Sequence, residues 1–312
     1  MAAVAAATVI AGAPACANGD DRGASTDGRS GAAGPAAGTP TREEHAAKVQ
    51  AWRDKHDVDY RRDWVSIAGL HFLSPGTHTL GSARSSDIVV SPHVPPSIGR
   101  LVVADGRVRF EPASGVAIAQ KGQPVTAPIV LKEPGQPAAP EIEIGDVRLV
   151  IHESGDRLSL RVRDPQGELA RSFTGFIWFP IDMQYRVVGR FLPDAEPRTL
   201  RVVNTFGDMD EYRTEGVVEF TLLGETLRLR PFTTRPNRFY FVFRDASSGE
   251  ETYETARFLY SDLLPDGTTV LDFNEAYNPP CAFNPLTTCP IPLPENRLPV
   301  KILAGEKAYV GK

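Results

Sequence analysis

Cys281 and Cys289 are the residues of this chain best suited to chemistry, and they stand eight positions apart near the carboxyl terminus. A disulfide between them would close a short loop and stabilise the fold by roughly 2–3 kcal/mol. A nucleophilic thiol would instead need a nearby base or cation, and the closest basic residues in sequence are Arg297, Lys301 and Lys307. A zinc site normally needs four nitrogen or sulfur ligands, which this pair does not supply. The disulfide and the reactive thiol both stay open as interpretations.

Carboxylates and amides crowd the Pro-rich segment 270–309 that contains these cysteines. Such side chains cap turns in irregular backbone, and they also line polar pockets. Asp182 stands among aromatic residues, where an acid must be paired or protonated. Its candidate partners are Arg171, Arg186 and Arg257. The residues predicted to line a pocket are Asp182, Tyr185, Arg257, Asp272, Asn274, Tyr277, Asn278, Cys281, Asn296 and Arg297.

The sequence lacks the motifs of several common enzyme classes. All six histidines precede residue 153, so the carboxyl-terminal half has no imidazole to act as a general base or metal ligand. The sequence has no Gly-x-Ser-x-Gly elbow, Walker motif or dinucleotide-binding glycine pattern. A net charge of −5 with interspersed signs disfavours nucleic acid as a partner. We therefore predict no metal and no cofactor.

The amino terminus predicts export. Residues 1–41 contain a short apolar run followed by small residues, which is typical of a signal peptide, and then a linker too polar to fold. Cys16 is a candidate lipidation site of a lipoprotein, which would give membrane attachment by the lipid only. The alternative is a disordered tail on a cytoplasmic protein. No apolar run is long enough for a transmembrane helix.

The remaining chain is predicted to be all-β and mainly antiparallel, after one short helix. A capping box at Thr41 to Glu44 begins that helix, which should end near His56. Short apolar runs separated by Gly and Pro follow, and residues 157–163 alternate apolar with mostly charged side chains, as in a half-buried strand. We assign residues 42–163 to the helix and a β-sandwich, and residues 164–312 to a second β domain closed by the Pro-rich segment.

The sandwich resembles a forkhead-associated domain in the run GTHTLGSARSSDIVV at 76–90. Such domains hold phosphothreonine with a loop arginine and a serine, with a histidine nearby. Ser82 stands where that arginine would be, and His93 lacks the usual spacing. The resemblance thus implies a shared shape without phosphopeptide binding.

A second resemblance covers about Trp52 to Tyr309. The motifs NEAYNPPCAF, TTCPIPLPENRLPVKILAGEKAY, GFIWFPIDMQYRVVGRF and RDASSGEETYETARFLY are similar to those of the bacterial family named domain of unknown function 1684. Asn284 and Leu286 depart from the family, whose members tend to have Thr and an aromatic residue there. The resemblance implies export or a lipid anchor and supplies no activity, cofactor or catalytic residue.

Three functional hypotheses follow. The first is a protein that binds a small molecule or an envelope ligand at a pocket near the Asn-Pro-Pro-Cys segment, because rigid Pro-Asn backbone beside aromatic residues suits a preformed pocket. The second is a hydrolase that uses Asp182 or Asp272 with an arginine, or Cys281 as nucleophile. The third is a structural role, in which the segment clamps the two regions together.

Overall fold

A computed structural model describes residues 40–310, so the predicted leader and Cys16 lie outside the described residues. Helix α1 spans Arg42–Tyr60 and begins at the predicted capping box: the Thr41 hydroxyl accepts from the Glu44 amide, and the Glu44 carboxylate accepts from the Thr41 amide. The helix runs beyond the predicted end, and a π-helical turn follows at Arg61–Val65. No Gly or Pro interrupts 42–65, so nothing in the local sequence ends the helix at His56.

Eleven strands follow α1 and build a sandwich of two sheets. They are β1 (Ile67–Phe72), β2 (Gly76–Gly81), β3 (Ile88–Val89), β4 (Gly99–Ala104), β5 (Arg107–Pro112), β6 (Ala119–Gln120), β7 (Gln123–Pro124), β8 (Ile129–Lys132), β9 (Ile142–Ile144), β10 (Val147–Ser154) and β11 (Arg157–Arg163). The sheet orders are β3-β2-β4-β5-β8 and β1-β11-β10-β9-β6-β7. Only the β2–β3 pair is parallel among these described strands. A single apolar cluster, which includes Leu101, Phe110 and Leu160, fills the space between them.

The second region holds seven strands after a short helix α2 (Glu168–Ser172). They are β12 (Arg186–Val203), β13 (Met209–Leu222), β14 (Glu225–Leu229), β15 (Phe232–Arg235), β16 (Arg238–Phe243), β17 (Arg257–Asp262) and β18 (Thr268–Asp272). They form the sheets β14-β13-β12-β18 and β15-β16-β17, in which every pair is antiparallel. The predicted class, mainly antiparallel β with one helix at the amino-terminal end of the fold, is confirmed; the forkhead-associated label stays a prediction.

Helix α1 packs against the far end of the chain. Nε2 of His45 lies 2.6 Å from Oδ2 of Asp272, and Arg53 donates to the carbonyl of Asn274 at 3.1 Å. The Tyr60 hydroxyl donates to the carbonyl of Asn278 at 2.6 Å. The helix thus covers one side of the Pro-rich segment and fixes its position.

Candidate functional site

After β18 the chain leaves the sheet and continues as a series of tight turns. Three 3₁₀ turns occupy Phe273–Glu275, Pro280–Ala282 and Pro294–Asn296. Prolines begin the last two, since a proline has no amide hydrogen to lose at the start of a helix and its φ is already helical. Side chains, rather than a β-ladder, therefore hold most of this segment in place.

Cys281 and Cys289 meet in this segment as free thiols. The predicted disulfide is thus not formed in the structure: the thiols are joined by a hydrogen bond, and no covalent bond links them. Cys289 is buried, and its backbone is held by Thr205, whose amide donates to the Cys289 carbonyl at 2.9 Å. Cys281 is only partly buried, and the Tyr253 hydroxyl lies 3.8 Å from its sulfur. Hydrogen bonds from Cys289 and Tyr253 lower the pKa of the Cys281 thiol, although burial opposes them.

A buried polar network lies next to the thiols. The carboxylate of Glu306 accepts from the backbone amide and from the side-chain amide of Asn278, each at 2.8 Å. Burial nevertheless raises the pKa of Glu306 to about 8. Burial also raises the pKa of Tyr60, and the neighbouring Tyr277, Glu306 and thiols add to that shift. Near neutral pH this network thus holds its acids in their protonated forms.

An aromatic layer joins helix α1 to this network. His56 stacks on Trp52 at 4.8 Å and on Tyr60 at 4.5 Å, and it contacts the Tyr277 ring at 4.7 Å. Desolvation by these rings lowers the pKa of His56 to about 3. Its Nε2 atom is buried with no hydrogen-bond partner among the described residues. A neutral ring with this surrounding is part of the core and not an exposed base.

A surface cleft of about 190 Å³ opens nearby. It is lined by Arg244, Glu254, Thr255, Ile291, Pro292 and Arg297. Thr255 connects the cleft to the thiols, because its side chain hydrogen-bonds to Tyr253, the residue whose hydroxyl meets Cys281.

The two arginines of the cleft are brought together by backbone pairing. The Arg244 amide donates to the carbonyl of Asn296 at 3.0 Å, and the Leu298 amide donates to the carbonyl of Arg244 at 2.8 Å. Asn296 fixes this turn, since its side-chain amide donates to the carbonyls of Arg230 and Val242. Neither guanidinium, of Arg244 or of Arg297, forms an ion pair or side-chain hydrogen bond within residues 40–310. Two unpaired cations on one cleft favour an anionic occupant.

The predicted pocket residues do not come together in one place. Tyr277, Asn278 and Cys281 come together at the thiols, while Asn296 and Arg297 build the cleft. The others have different neighbours, described next.

Asp182 and Arg257 do not meet. Asp182 is exposed, and its carboxylate accepts from the amide of Gln184 at 2.9 Å as a cap of a 3₁₀ turn. The prediction that Asp182 lies in an apolar setting and pairs with an arginine was therefore wrong. The aromatic residues near it in sequence do not surround its side chain in the fold. Arg257 is fully buried and pairs with Asp245 at 2.7 Å. Tyr185 packs in the core of the second region.

Asp272 and Asn274 hold helix α1 to the second region. Besides its contact with His45, Asp272 accepts from the side-chain amide of Asn274 at 2.9 Å. Asn274 also donates to the backbone carbonyl of Asp182 at 2.8 Å. Each group is engaged by a structural partner, so the hydrolase hypothesis is left with Cys281 as its nucleophile.

Sequence reasoning missed His56, Tyr60, Tyr253 and Arg244. The first two had a signal: Trp52, His56 and Tyr60 recur every fourth residue and therefore share one face of a helix. The last two lie in the connection between β16 and β17, and only the fold brings them to the thiols and the cleft.

His93 of the sandwich also has acidic and hydroxyl neighbours. Its Nδ1 atom lies 2.7 Å from Oδ2 of Asp164, and the Ser91 hydroxyl donates to the same oxygen at 2.5 Å. Ser91 is 3.5 Å from the Nδ1 atom, not from Nε2, so the three do not form a nucleophilic triad. The group fastens the loop after β3 to the end of β11.

The structure is thus that of a mainly antiparallel β protein with a thiol pair beside an arginine-lined cleft. Residues 171–307 match the family described as "Protein of unknown function (DUF1684)", which supports the predicted family over the second region. A solution NMR structure of an uncharacterized protein from Haloarcula marismortui is 29% identical to this chain, with a TM-score of 0.37. That match covers 46% of this chain and 82% of the other. No curated protein matches the chain.

Proposed function

We propose that this protein binds a small molecule carrying a carboxylate or phosphate group in the cleft beside the Pro-rich segment. The observation that carries the proposal is the pair of unpaired guanidiniums of Arg244 and Arg297. Guanidinium groups bind such anions through two parallel hydrogen bonds, and an anion also relieves the repulsion between two adjacent cations.

The rest of the lining suggests what else the ligand carries. Ile291 and Pro292 offer an apolar wall, and the Thr255 hydroxyl offers a hydrogen bond. Glu254 is exposed and adds a negative charge to the cleft. A cleft of about 190 Å³ suits a compact ligand, or the charged end of a longer one. We therefore favour a small organic anion with a short apolar part.

Binding is tested with inorganic phosphate and succinate as probes, at constant ionic strength set with sodium chloride. We expect the Tm to rise with probe concentration, since a ligand that binds only the folded state stabilises it by about 2.7 kcal/mol at 100 times its Kd. Isothermal titration calorimetry then gives the Kd. The double variant R244Q/R297Q should abolish the response of both Tm and heat.

Two further variants make the test specific. Arg201→Gln removes an exposed arginine on β12, away from the cleft lining, and should leave binding unchanged. Glu254→Gln removes the negative charge of the cleft and should tighten binding. If R201Q weakens binding as much as R244Q/R297Q does, the anion interacts with overall charge and the cleft proposal fails.

We also propose that the protein is exported and works in the cell envelope, either soluble or anchored through a lipid on Cys16. The composition of the leader supports this proposal. No helix within residues 40–310 is long and apolar enough to cross a membrane. Mass spectrometry of the mature amino terminus tests it: cleavage before Cys16 with an attached diacylglycerol indicates a lipoprotein. An intact Met1 found only in the cytoplasmic fraction contradicts export.

A further inference from the structure

The thiols of Cys281 and Cys289 are chemically unequal although they touch. Cys281 is partly exposed, whereas Cys289 is 1% exposed and lies behind it in the aromatic layer. Cys281 accepts hydrogen bonds from two directions, from Cys289 and from Tyr253. A partly accessible thiol that accepts hydrogen bonds, next to a sheltered thiol, is the arrangement of an attacking and a resolving cysteine.

We propose that Cys281 and Cys289 form a dithiol that exchanges with small-molecule disulfides. The inference is independent of anion binding in the cleft. Cys281 is the attacking thiol and Cys289 the resolving thiol, and the substrate class is a linear, low-molecular-weight disulfide.

The exchange occurs in two balanced steps. The Cys281 thiolate attacks one sulfur of the substrate disulfide, a new S–S bond forms, and the other substrate half leaves as a thiolate that takes a proton from solvent. Cys289 then loses its proton, attacks the Cys281 sulfur and releases the second substrate half as a thiol. Two protein thiols are oxidised to one disulfide, and one substrate disulfide is reduced to two thiols.

Hydrogen bonds fix the loop that carries the two cysteines. Thr205 binds Cys289 on both sides, because the Cys289 amide donates to its hydroxyl at 3.1 Å and the Thr205 amide donates to the Cys289 carbonyl at 2.9 Å. Midway between the cysteines, the side-chain amide of Asn284 donates to the carbonyls of Trp64 and Ile67 at 3.0 and 2.9 Å. The loop is therefore closed before any S–S bond forms, and closure of the disulfide requires little further ordering.

Tyr253 is the positioning residue of this site. Burial raises the pKa of its hydroxyl to about 12, so it stays protonated and can donate to the Cys281 sulfur. A donor to the thiolate favours the charged form. Tyr253→Phe should move the pH profile of Cys281 alkylation by iodoacetamide to higher pH. Tyr309→Phe, in the same aromatic layer but without a hydrogen bond to the thiols, should leave the profile in place.

The exchange itself is measured on the reduced full-length protein with oxidised glutathione as probe. Trypsin places both cysteines on one peptide, 258–297, between Arg257 and Arg297, so the third cysteine does not interfere. We expect this peptide to lose two hydrogens and retain no glutathione. The C289S variant should instead accumulate one glutathione on Cys281, and the C281S variant should resist modification.

Three results would overturn the proposal. In the wild-type protein, which needs no variant to fold, the peptide could stay fully reduced under conditions that oxidise dithiothreitol. It could also end with glutathione retained on either cysteine and no internal disulfide. Finally, Cys289 in the C281S variant could react as fast as Cys281 does in C289S, with both variants shown to be folded by circular dichroism.

Discussion

Glu306 and His56 are two buried groups whose charged forms the fold disfavours, with opposite consequences for stability. The pKa of Glu306 is raised to about 8 by burial, and the pKa of His56 is lowered to about 3 by burial. An acid with a raised pKa binds its proton more tightly in the folded state, whereas a base with a lowered pKa binds it more tightly in the unfolded state. Stability therefore falls with rising pH on account of Glu306 and with falling pH on account of His56.

Glu306→Gln should flatten the loss of stability that occurs as pH rises from 4.5 to about 8. Between the ordinary pKa of 4.5 and about 8, the folded state holds the Glu306 proton and the unfolded state does not. Stability thus falls as pH rises through this window, by at most about 1.4 kcal/mol per pH unit. Glutamine resembles the protonated acid and does not titrate. Tm measured from pH 5 to 9 should fall less steeply in the variant, and Glu250→Gln, at an exposed ion pair, should keep the wild-type slope.

His56→Phe should protect the fold in acid. Between its ordinary pKa of 6.5 and about 3, only the unfolded chain protonates this residue, so wild-type stability falls as pH decreases through this window. Phenylalanine keeps the stacking on Trp52 and Tyr60 and removes the unpaired Nε2 atom. The Tm of the variant relative to wild type should rise by several degrees between pH 8 and pH 4. An unchanged difference would mean that His56 is solvated and titrates normally.

At the scale of the element, one buried ion pair fastens the chain end to the sheet. Arg257, the first residue of β17, pairs with Asp245 at 2.7 Å, and both side chains are fully buried. It also donates to the carbonyl of Ile302 at 3.0 Å and to that of Ala304. The guanidinium thus supplies hydrogen bonds to a tail that has no strand partner for these carbonyls.

Arg257→Met should destabilise the protein by about 3–5 kcal/mol, because it leaves Asp245 buried without a counter-charge. Urea unfolding monitored by tryptophan fluorescence measures the change. The double variant D245N/R257M should recover part of the loss, since it removes the unpaired charge. Arg213→Met, at an exposed ion pair with Glu215, should cost less than about 1 kcal/mol.

Local sequence patterns predicted where helices and strands begin better than they predicted what packs against them. The Thr41 capping box located the start of α1, because the cap depends on side chains three residues apart. The alternation in β11 predicted an antiparallel strand, which is confirmed, yet Arg161 of its polar face is buried and lies over the Trp64 ring at 5.5 Å. The alternation describes one strand, and it has no information about the π-helical turn that covers that face.

The Pro-rich segment shows the same limit of prediction from local sequence. Its Pro and Asn content predicted backbone outside regular structure, and Asn278 and Asn296 do hold turns in place. Gly305 illustrates what remained hidden: its φ is +76°, and a Cβ there would lie 2.2 Å from the carbonyl oxygen of Ala276. Such an approach, like the pairing of Asp245 with Arg257, depends on residues that are far apart in sequence.

At the scale of the whole molecule, α1 belongs energetically to the second region. It is bound there by His45 to Asp272 and by Tyr60 to Asn278, whereas the sandwich has an apolar core of its own. Local opening of α1 should therefore follow the stability of the second region.

Asp272→Ala tests this assignment by hydrogen exchange. Loss of the carboxylate leaves Nε2 of the buried His45 without its partner and removes one hydrogen bond of Asn274, at a cost of about 1–3 kcal/mol. We expect amides of α1 to exchange faster, by roughly tenfold for each 1.4 kcal/mol, and amides of β4 and β5 to be unaffected. Asp266→Ala, an exposed turn cap before β18, is the control. Equal acceleration in β4 and β5 would show that the two regions open together.

The anchoring of α1 also determines when this helix can pack during translation. Residues 42–60 leave the ribosome early. The groups that bind them, from Asp272 to Asn278, follow more than 200 positions later, and the spacing between His45 and Asp272 is 227. Until those residues have emerged, the aromatic face of the helix lacks the Tyr277 ring, which contacts both His56 and Tyr60 in the fold. The nascent chain must therefore carry an incompletely packed first helix until the last part of its translation.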